Sequence, residues 1–130
     1  NGLPVKNHGL AKTLTEMPLI FHYSKINLNM TSKSIRTGLP LRIFDILGCG
    51  GFCLTNYQTE LTDYFTPGSD LDCYTCEEDL LEKTEYYLSH EKERAEIARN
   101  GFETVNKYHN YPERLLKMLS LAYGIKEGEL

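Results

Sequence analysis

The chain has 130 residues, 41% of them hydrophobic and 25% charged, with a formal net charge of −4. That length supports one buried core and that composition belongs to folded globular chains, which sets global disorder aside. The balance of 14 Lys+Arg against 18 Asp+Glu argues against a nucleic-acid partner, which calls for a basic face. No apolar run approaches the roughly 20 residues of a membrane-spanning helix. Asn1-Gly2-Leu3-Pro4 has neither an initiator Met nor a basic-then-apolar leader, so the chain reads as a piece of something longer.

Taken in order, short apolar runs alternate with longer helical patterns. Residues 4–8 read as a short strand closed by Gly9, and residues 16–24 as a short helix with Pro18 in its first turn. Ile26-Asn27-Leu28-Asn29-Met30 alternates at period two, which predicts a strand. The polar stretch 31–37 is a loop. Gly38-Leu39-Pro40 then opens a helix carrying Leu41, Phe44 and Leu47, with Ile43 and Ile46 widening the buried face. Gly48, Gly50 and Gly51 end it, since glycine adopts the left-handed cap conformation cheaply. Residues 51–55 are nearly all apolar, as in a strand buried on both faces of a parallel sheet. A helix at 59–65, the turn Thr66-Pro67-Gly68-Ser69 and a further strand at 71–74 follow.

Residues 76–124 form a helical tail of the same domain. Thr75 and Glu78 have capping-box spacing ahead of a face made by Leu80, Leu81, Thr84, Tyr87 and Leu88. Ser89 is placed to cap the next helix, with Ala95, Ala98, Phe102 and Val105 inward. Asn110 and Glu113 repeat the capping-box spacing with Pro112 in the first turn. Leu115, Leu116, Leu119, Ala122 and Tyr123 then make a buried stripe, and Gly124 stops the helix. Strands alternating with helices imply an α/β fold, a parallel sheet of about four strands joined by right-handed crossovers.

In an open parallel sheet, ligands bind beyond the carboxyl ends of the strands. That rule selects His8-Gly9-Leu10, the loop 31–38 and the stretch 56–60. The second is polar and basic (Lys33, Ser34, Arg36) and runs into Gly38 and a helix N-terminus, where free N–H groups favour an anion. Arg42 can add a bidentate phosphate contact, and Asp45, three residues on, suits two ribose hydroxyls. Phosphate plus diol reads as a nucleotide site; composition alone reads the same two residues as a surface ion pair. Glu60 follows a polar loop and starts a helix, where it also serves as an ordinary N-terminal charge.

Cys49, Cys53, Cys73 and Cys76 read as reduced thiols of a cytoplasmic protein. Two disulfides are a weaker reading because disulfide scaffolds are denser in Cys and poorer in aliphatic core, a zinc site because Cys53 and Cys73 sit inside apolar strands, and a redox Cys-x-x-Cys because Cys73-Tyr74-Thr75-Cys76 lacks an apolar, Pro-containing neighbourhood. His8, His22, His90 and His109 fall in no metal or nucleophile spacing, and His8 alone lies at a predicted strand end.

In order, Ser24-Lys25-Ile26-Asn27-Leu28-Asn29, Leu41-Arg42-Ile43-Phe44-Asp45-Ile46-Leu47-Gly48-Cys49-Gly50-Gly51-Phe52 and Glu60-Leu61-Thr62-Asp63-Tyr64-Phe65-Thr66-Pro67-Gly68 resemble the C-terminal domain of group 1 glycosyltransferases, in the spore-maturation CgeB-like branch. The tail, with Glu93-Arg94-Ala95-Glu96-Ile97-Ala98, Asn100-Gly101 and Tyr111, is similar as well, and the resemblance runs from Val5 to Leu119. It implies the C-terminal half of a GT-B fold, a Rossmann-like domain facing a second, N-terminal one that the chain lacks. It implies a nucleoside-diphosphate sugar as donor substrate, with no further cofactor or metal. The helix opening at Gly38-Leu39 meets the diphosphate, with Arg42 in support. Asp45 stands for the ribose-holding carboxylate, His8-Gly9 approaches the base, and Glu60 matches an acidic residue after the donor-side loop. The sequence departs from the family in having Asp45 for the usual Glu, Thr37 for the Glu eight residues earlier, and Pro40, which removes one N–H. No catalytic base, donor sugar, acceptor or oligomeric state follows from the resemblance. The alternative is a non-enzymatic interaction module that docks a partner through its helical tail.

Overall fold

The structure, a computed structural model, describes residues 5–32, 34–35 and 37–125. Strands β1 (Asn27–Asn29), β2 (Cys53–Asn56) and β3 (Asp72–Tyr74) lie side by side in that order, all parallel, with Leu28 opposite Leu54 and Thr55 opposite Cys73. Parallel neighbours need helical crossovers. α2 (Leu41–Gly48) joins the first pair and α3 (Leu61–Tyr64) the second, while α1 (Met17–Tyr23) precedes the sheet. α4 (Glu77–Ser89), α5 (Glu91–Tyr108) and α6 (Tyr111–Tyr123) follow it.

Period-two alternation sorts the core onto the two faces of the sheet. On one face Cys53 packs with Ile43, Ile46 and Leu47 of α2, Leu61, Phe65, Leu71 and Val105. On the other, Leu54 and Tyr74 pack with Phe52, Tyr87, Ile97 and Ala98. α5 contributes to both. Ile43, Ile46, Leu47, Leu54, Leu61 and Leu71 are all but completely buried, each stabilising the fold by about 1.5–3 kcal/mol. At the sheet edge Leu28 is still 44% exposed.

The sheet has three strands among the described residues, against about four expected. Residues 5–8 have no regular structure and are exposed, with Val5 82% accessible, and Pro4 lies outside the described residues. A run with no face to bury has nothing to hold it in a ladder. The sequence reading of the tail is also corrected. In α4 the buried side is Tyr87, flanked by the half-buried Leu80 and Thr84; Leu81 and Leu88 face solvent. In α5 the inward residues are Arg94, Ile97, Ala98, Gly101 and Val105, whereas Ala95 and Phe102 are exposed. In α6 no residue is buried, and Leu115, Leu116, Leu119 and Tyr123 are 42–75% exposed, because no other described element covers that stripe.

The caps divide the same way. Asn110 Oδ1 accepts from the Glu113 N–H at 2.9 Å, and Gly124 closes α6 in the left-handed conformation at φ 65°, both as expected. The Thr75–Glu78 box does not form; the Thr75 N–H donates to Asp79 Oδ2 instead, at 2.9 Å. Ser89 does not cap α5. Its hydroxyl donates back to the Tyr86 carbonyl at 2.8 Å and so closes α4.

Arg94 and Asp72 are buried charges that no hydrophobic pattern reveals. Arg94 Nη1 donates to the Tyr87 carbonyl at 2.5 Å, satisfying a free acceptor at the end of α4. Asp72 accepts from the Tyr87 hydroxyl at 2.8 Å and from Lys83 Nζ at 3.3 Å, tying β3 to α4. Burial, then the Asp72 contact, pushes the Tyr87 phenol well above its ordinary value, so it remains a donor at every physiological pH.

Candidate functional site

The carboxyl edge of the sheet is held together by polar side chains. Asn29 Nδ2 donates to Thr55 Oγ1 at 3.0 Å between neighbouring strands. Just beyond, Asn56 Oδ1 accepts from the Thr31 N–H at 2.7 Å, and Asn56 Nδ2 donates to the Thr31 carbonyl at 3.5 Å. The Tyr74 hydroxyl donates to the Asn29 carbonyl at 3.4 Å. These bonds fix where the chain leaves β1.

Gly38, at φ +84°, turns the chain into α2. Its N–H donates to Glu60 Oε1 at 3.2 Å, a contact across 22 residues. Pro40 precedes Leu41 with no side-chain cap and no acid in the first turn of α2, so the helix start keeps free N–H groups. Glu60 Oε2 is buried with no partner, and so is Gln58 Oε1, two residues earlier in the same loop. A buried acceptor without a donor costs roughly 1–3 kcal/mol. Both lie in the loop after β2, and the other carboxylate oxygen of Glu60 takes the Gly38 N–H just ahead of α2.

Aromatic packing joins α2 to the end of α3. Phe44 of α2 lies 5.3 Å from Phe65, 6.1 Å from Tyr64 and 5.7 Å from His109, ring centroid to centroid. The Arg114 guanidinium covers the Phe44 ring at 4.8 Å. Burial pushes the His109 imidazole down, favouring the neutral ring that packs here.

The expected site residues are brought together only in part. Gly38 and Glu60 meet, and Leu39 packs against the core cluster of α2 and α3. However, the Gly38 N–H expected to face a diphosphate is taken by the Glu60 carboxylate. Arg42 and Asp45 are both exposed, and no ion pair joins them among the described residues, so the surface ion pair does not form. Asp45 lies about 6 Å along the α2 axis from its first residue, and its charge, after burial, raises the thiol of Cys49 at the far end. His8 and Gly9 lie at no strand end; Gly9 donates only to Asn7 Oδ1, at 2.8 Å, and both residues are exposed. Lys33 and Arg36 lie outside the described residues. The residues that sequence reasoning passed over are Gln58, Asn56 and Thr31. The first two lie in the 56–60 stretch already selected, where polar residues directly after an apolar strand were the signal.

The four cysteines are free, and no cluster of three or more His, Cys, Asp or Glu able to hold a metal ion occurs among the described residues. Burial pushes the Cys53 thiol up to about 12. Since the thiolate is the reactive form, iodoacetamide at neutral pH is expected to modify the exposed Cys76 and spare Cys53 in the folded chain. Mass spectrometry of the labelled peptides reads the order directly.

A family model described as glycosyl transferase-like matches residues 3–120. The chain belongs to that glycosyl transferase-like family. No curated protein and no solved structure matches it. Membership links the chain to glycosyl transfer, and the matched span includes the whole sheet, the Gly38 turn and Glu60. In this glycosyl transferase-like chain no described helix is long and apolar enough to cross a membrane.

Proposed function

We propose that the chain is the nucleoside-diphosphate-sugar binding domain of a glycosyltransferase, working with a second Rossmann-like domain in a GT-B arrangement and belonging to the CgeB-like branch. The observation that carries this reading is the pair of buried acceptors without donors in the loop after β2, Gln58 Oε1 and Glu60 Oε2, with Glu60 bonded to the Gly38 N–H ahead of the uncapped start of α2. Sugar and ribose hydroxyls supply the donors these atoms lack. The N–H groups of Leu41 and Arg42, with the exposed Arg42 side chain, take the diphosphate. Transfer then draws on α2 and Arg42 to stabilise the leaving diphosphate as its charge develops. The base that activates the acceptor is assigned to no residue of this chain.

Titration with UDP, GDP and their sugars, followed by amide NMR, tests the reading. A donor is expected to shift the amides of Gly38, Leu41 and Glu60 with a dissociation constant in the range of about 10 μM to 1 mM. No shift there at millimolar nucleotide abandons the proposal. A second reading, a non-enzymatic module that engages a partner through its tail, draws on the uncovered stripe of α6. Shifts confined to α6 on adding a protein partner, with none from any nucleotide, would favour it.

A further inference from the structure

The amino edge of the sheet, at the opposite end of the strands from Gly38, holds a groove of about 580 Å³ between the turns that lead into β1 and β2 and the first half of α5. Ligand pockets of small molecules span roughly 300–1,000 Å³, so the groove has the size of a site. Its chemistry is unlike the chain as a whole. The net charge is −4, yet Lys25, Arg94 and Arg99 face the groove against the one carboxylate of Glu91.

Arg94 is the anomaly. It is 8% exposed, and the ion pairs among the described residues all belong to Lys83, leaving Arg94 without a carboxylate. Buried charges are ordinarily paired. One of its five N–H donors goes to the Tyr87 carbonyl. No other hydrogen bond of its guanidinium is formed among the described residues, and Arg94 lines the groove. Carbonyl ends of helices do converge on this edge, but each is worth only about half a negative charge, and that of α4 already has its arginine. Three cations and one acid therefore leave an excess of positive charge. Tyr23, Phe52 and Phe102 supply aromatic walls beside it.

We propose that this groove is a second ligand site, for a small phosphate monoester carried on a ring, with Arg94 and Lys25 and Arg99 on the phosphate and the aromatic walls on the ring. A monoester at neutral pH carries about −1.5 to −2 charges and three acceptor oxygens, which suits several converging cations better than a single carboxylate does. The site is separate from the donor reading and stands or falls apart from it.

Amide NMR titration of the chain with phenyl phosphate, with phenol and inorganic phosphate in parallel, decides the matter. Phenyl phosphate is expected to shift the amides of Lys25, Gly50 and Ala95 and to saturate with a dissociation constant on the order of 1 mM. Inorganic phosphate is expected to move the same amides several-fold more weakly, and phenol to leave them in place. The exposed pair Lys25→Ala with Arg99→Ala is expected to weaken phenyl phosphate at least tenfold without moving the urea midpoint. Arg94→Lys, which keeps a buried cation but loses the fork, is expected to weaken it as well. Phenol binding as tightly as phenyl phosphate, or undiminished binding by the double variant, overturns the phosphate assignment. Equal binding of inorganic phosphate overturns the part played by the ring.

Discussion

Replacing Gly101 with alanine is expected to destabilise the chain by about 2–3 kcal/mol, read as a lower urea midpoint with an unchanged slope. A Cβ at Gly101 runs into the backbone carbonyl of Asp70 and comes within 2.8 Å of Leu47 Cδ2. The carbonyl cannot swing aside, because the neighbouring bonds hold that turn to α5: Asn100 Nδ2 donates to the Ser69 carbonyl at 3.2 Å, and Thr104 Oγ1 to Asp70 Oδ1 at 3.1 Å. Alanine is intrinsically the better helix former by about 1 kcal/mol, and that gain is already taken off the figure. Gly48→Ala is the matched control. A Cβ there meets only Val105 Cγ1, at an ordinary 3.9 Å, so the change is expected to be neutral or to stabilise by up to about 1 kcal/mol. Equal effects at the two glycines would mean that the close approach of α5 to the 66–71 turn is not what fixes residue 101.

At the candidate site, stability and binding are expected to move in opposite directions. Gln58→Met keeps the side-chain length and removes an acceptor that has no donor. The ligand-free chain is expected to become more stable by up to about 1 kcal/mol, since a desolvated orphan disappears. Affinity for the nucleotide sugar is expected to fall about tenfold, because the ligand hydroxyl loses its acceptor. Glu60→Gln is the sharper variant. Its remaining carbonyl oxygen still accepts from Gly38, so the turn into α2 is kept. The other atom becomes an NH₂ donor that no hydroxyl can donate to, and the charge-assisted bond is lost, which is worth about 10–100-fold in affinity. Calorimetry with the donor and urea unfolding without it separate the two effects. Weaker binding only in step with lower stability would assign both residues a structural role.

The architecture was legible wherever local terms decide it. The apolar run before Thr55 and the glycines after Leu47 placed β2 and the end of α2 to within two residues. The Asn110–Glu113 spacing formed the bond it promised. Inner faces were less legible, because which side of a helix is buried depends on what arrives to cover it. In α5 a period read from apolar residues passed over Arg94, whose guanidinium is buried for the sake of a carbonyl on another helix. The Thr75 N–H had Glu78 and Asp79 within reach, and spacing alone does not choose between them. The site was half legible for the same reason. The rule about strand ends selected the loops that meet at Gly38 and Glu60, whereas the contact itself spans 22 residues, which no local spacing reveals. His8 was assigned through a strand that did not form.

α6 carries the clearest start and stop signals in the chain, Asn110 and Gly124, and buries no residue of its own. Arg114, against Phe44, ties down its first turn; the later turns are covered by no other described element with several contacts. A lone helix of 13 residues is marginal in water. Hydrogen exchange in its second half is therefore set by opening of the helix itself, at a free energy well below that of global unfolding, while the amides of β2 exchange only when the whole sheet comes apart. The segment easiest to read in the sequence is the one that shares least in the cooperativity of the fold.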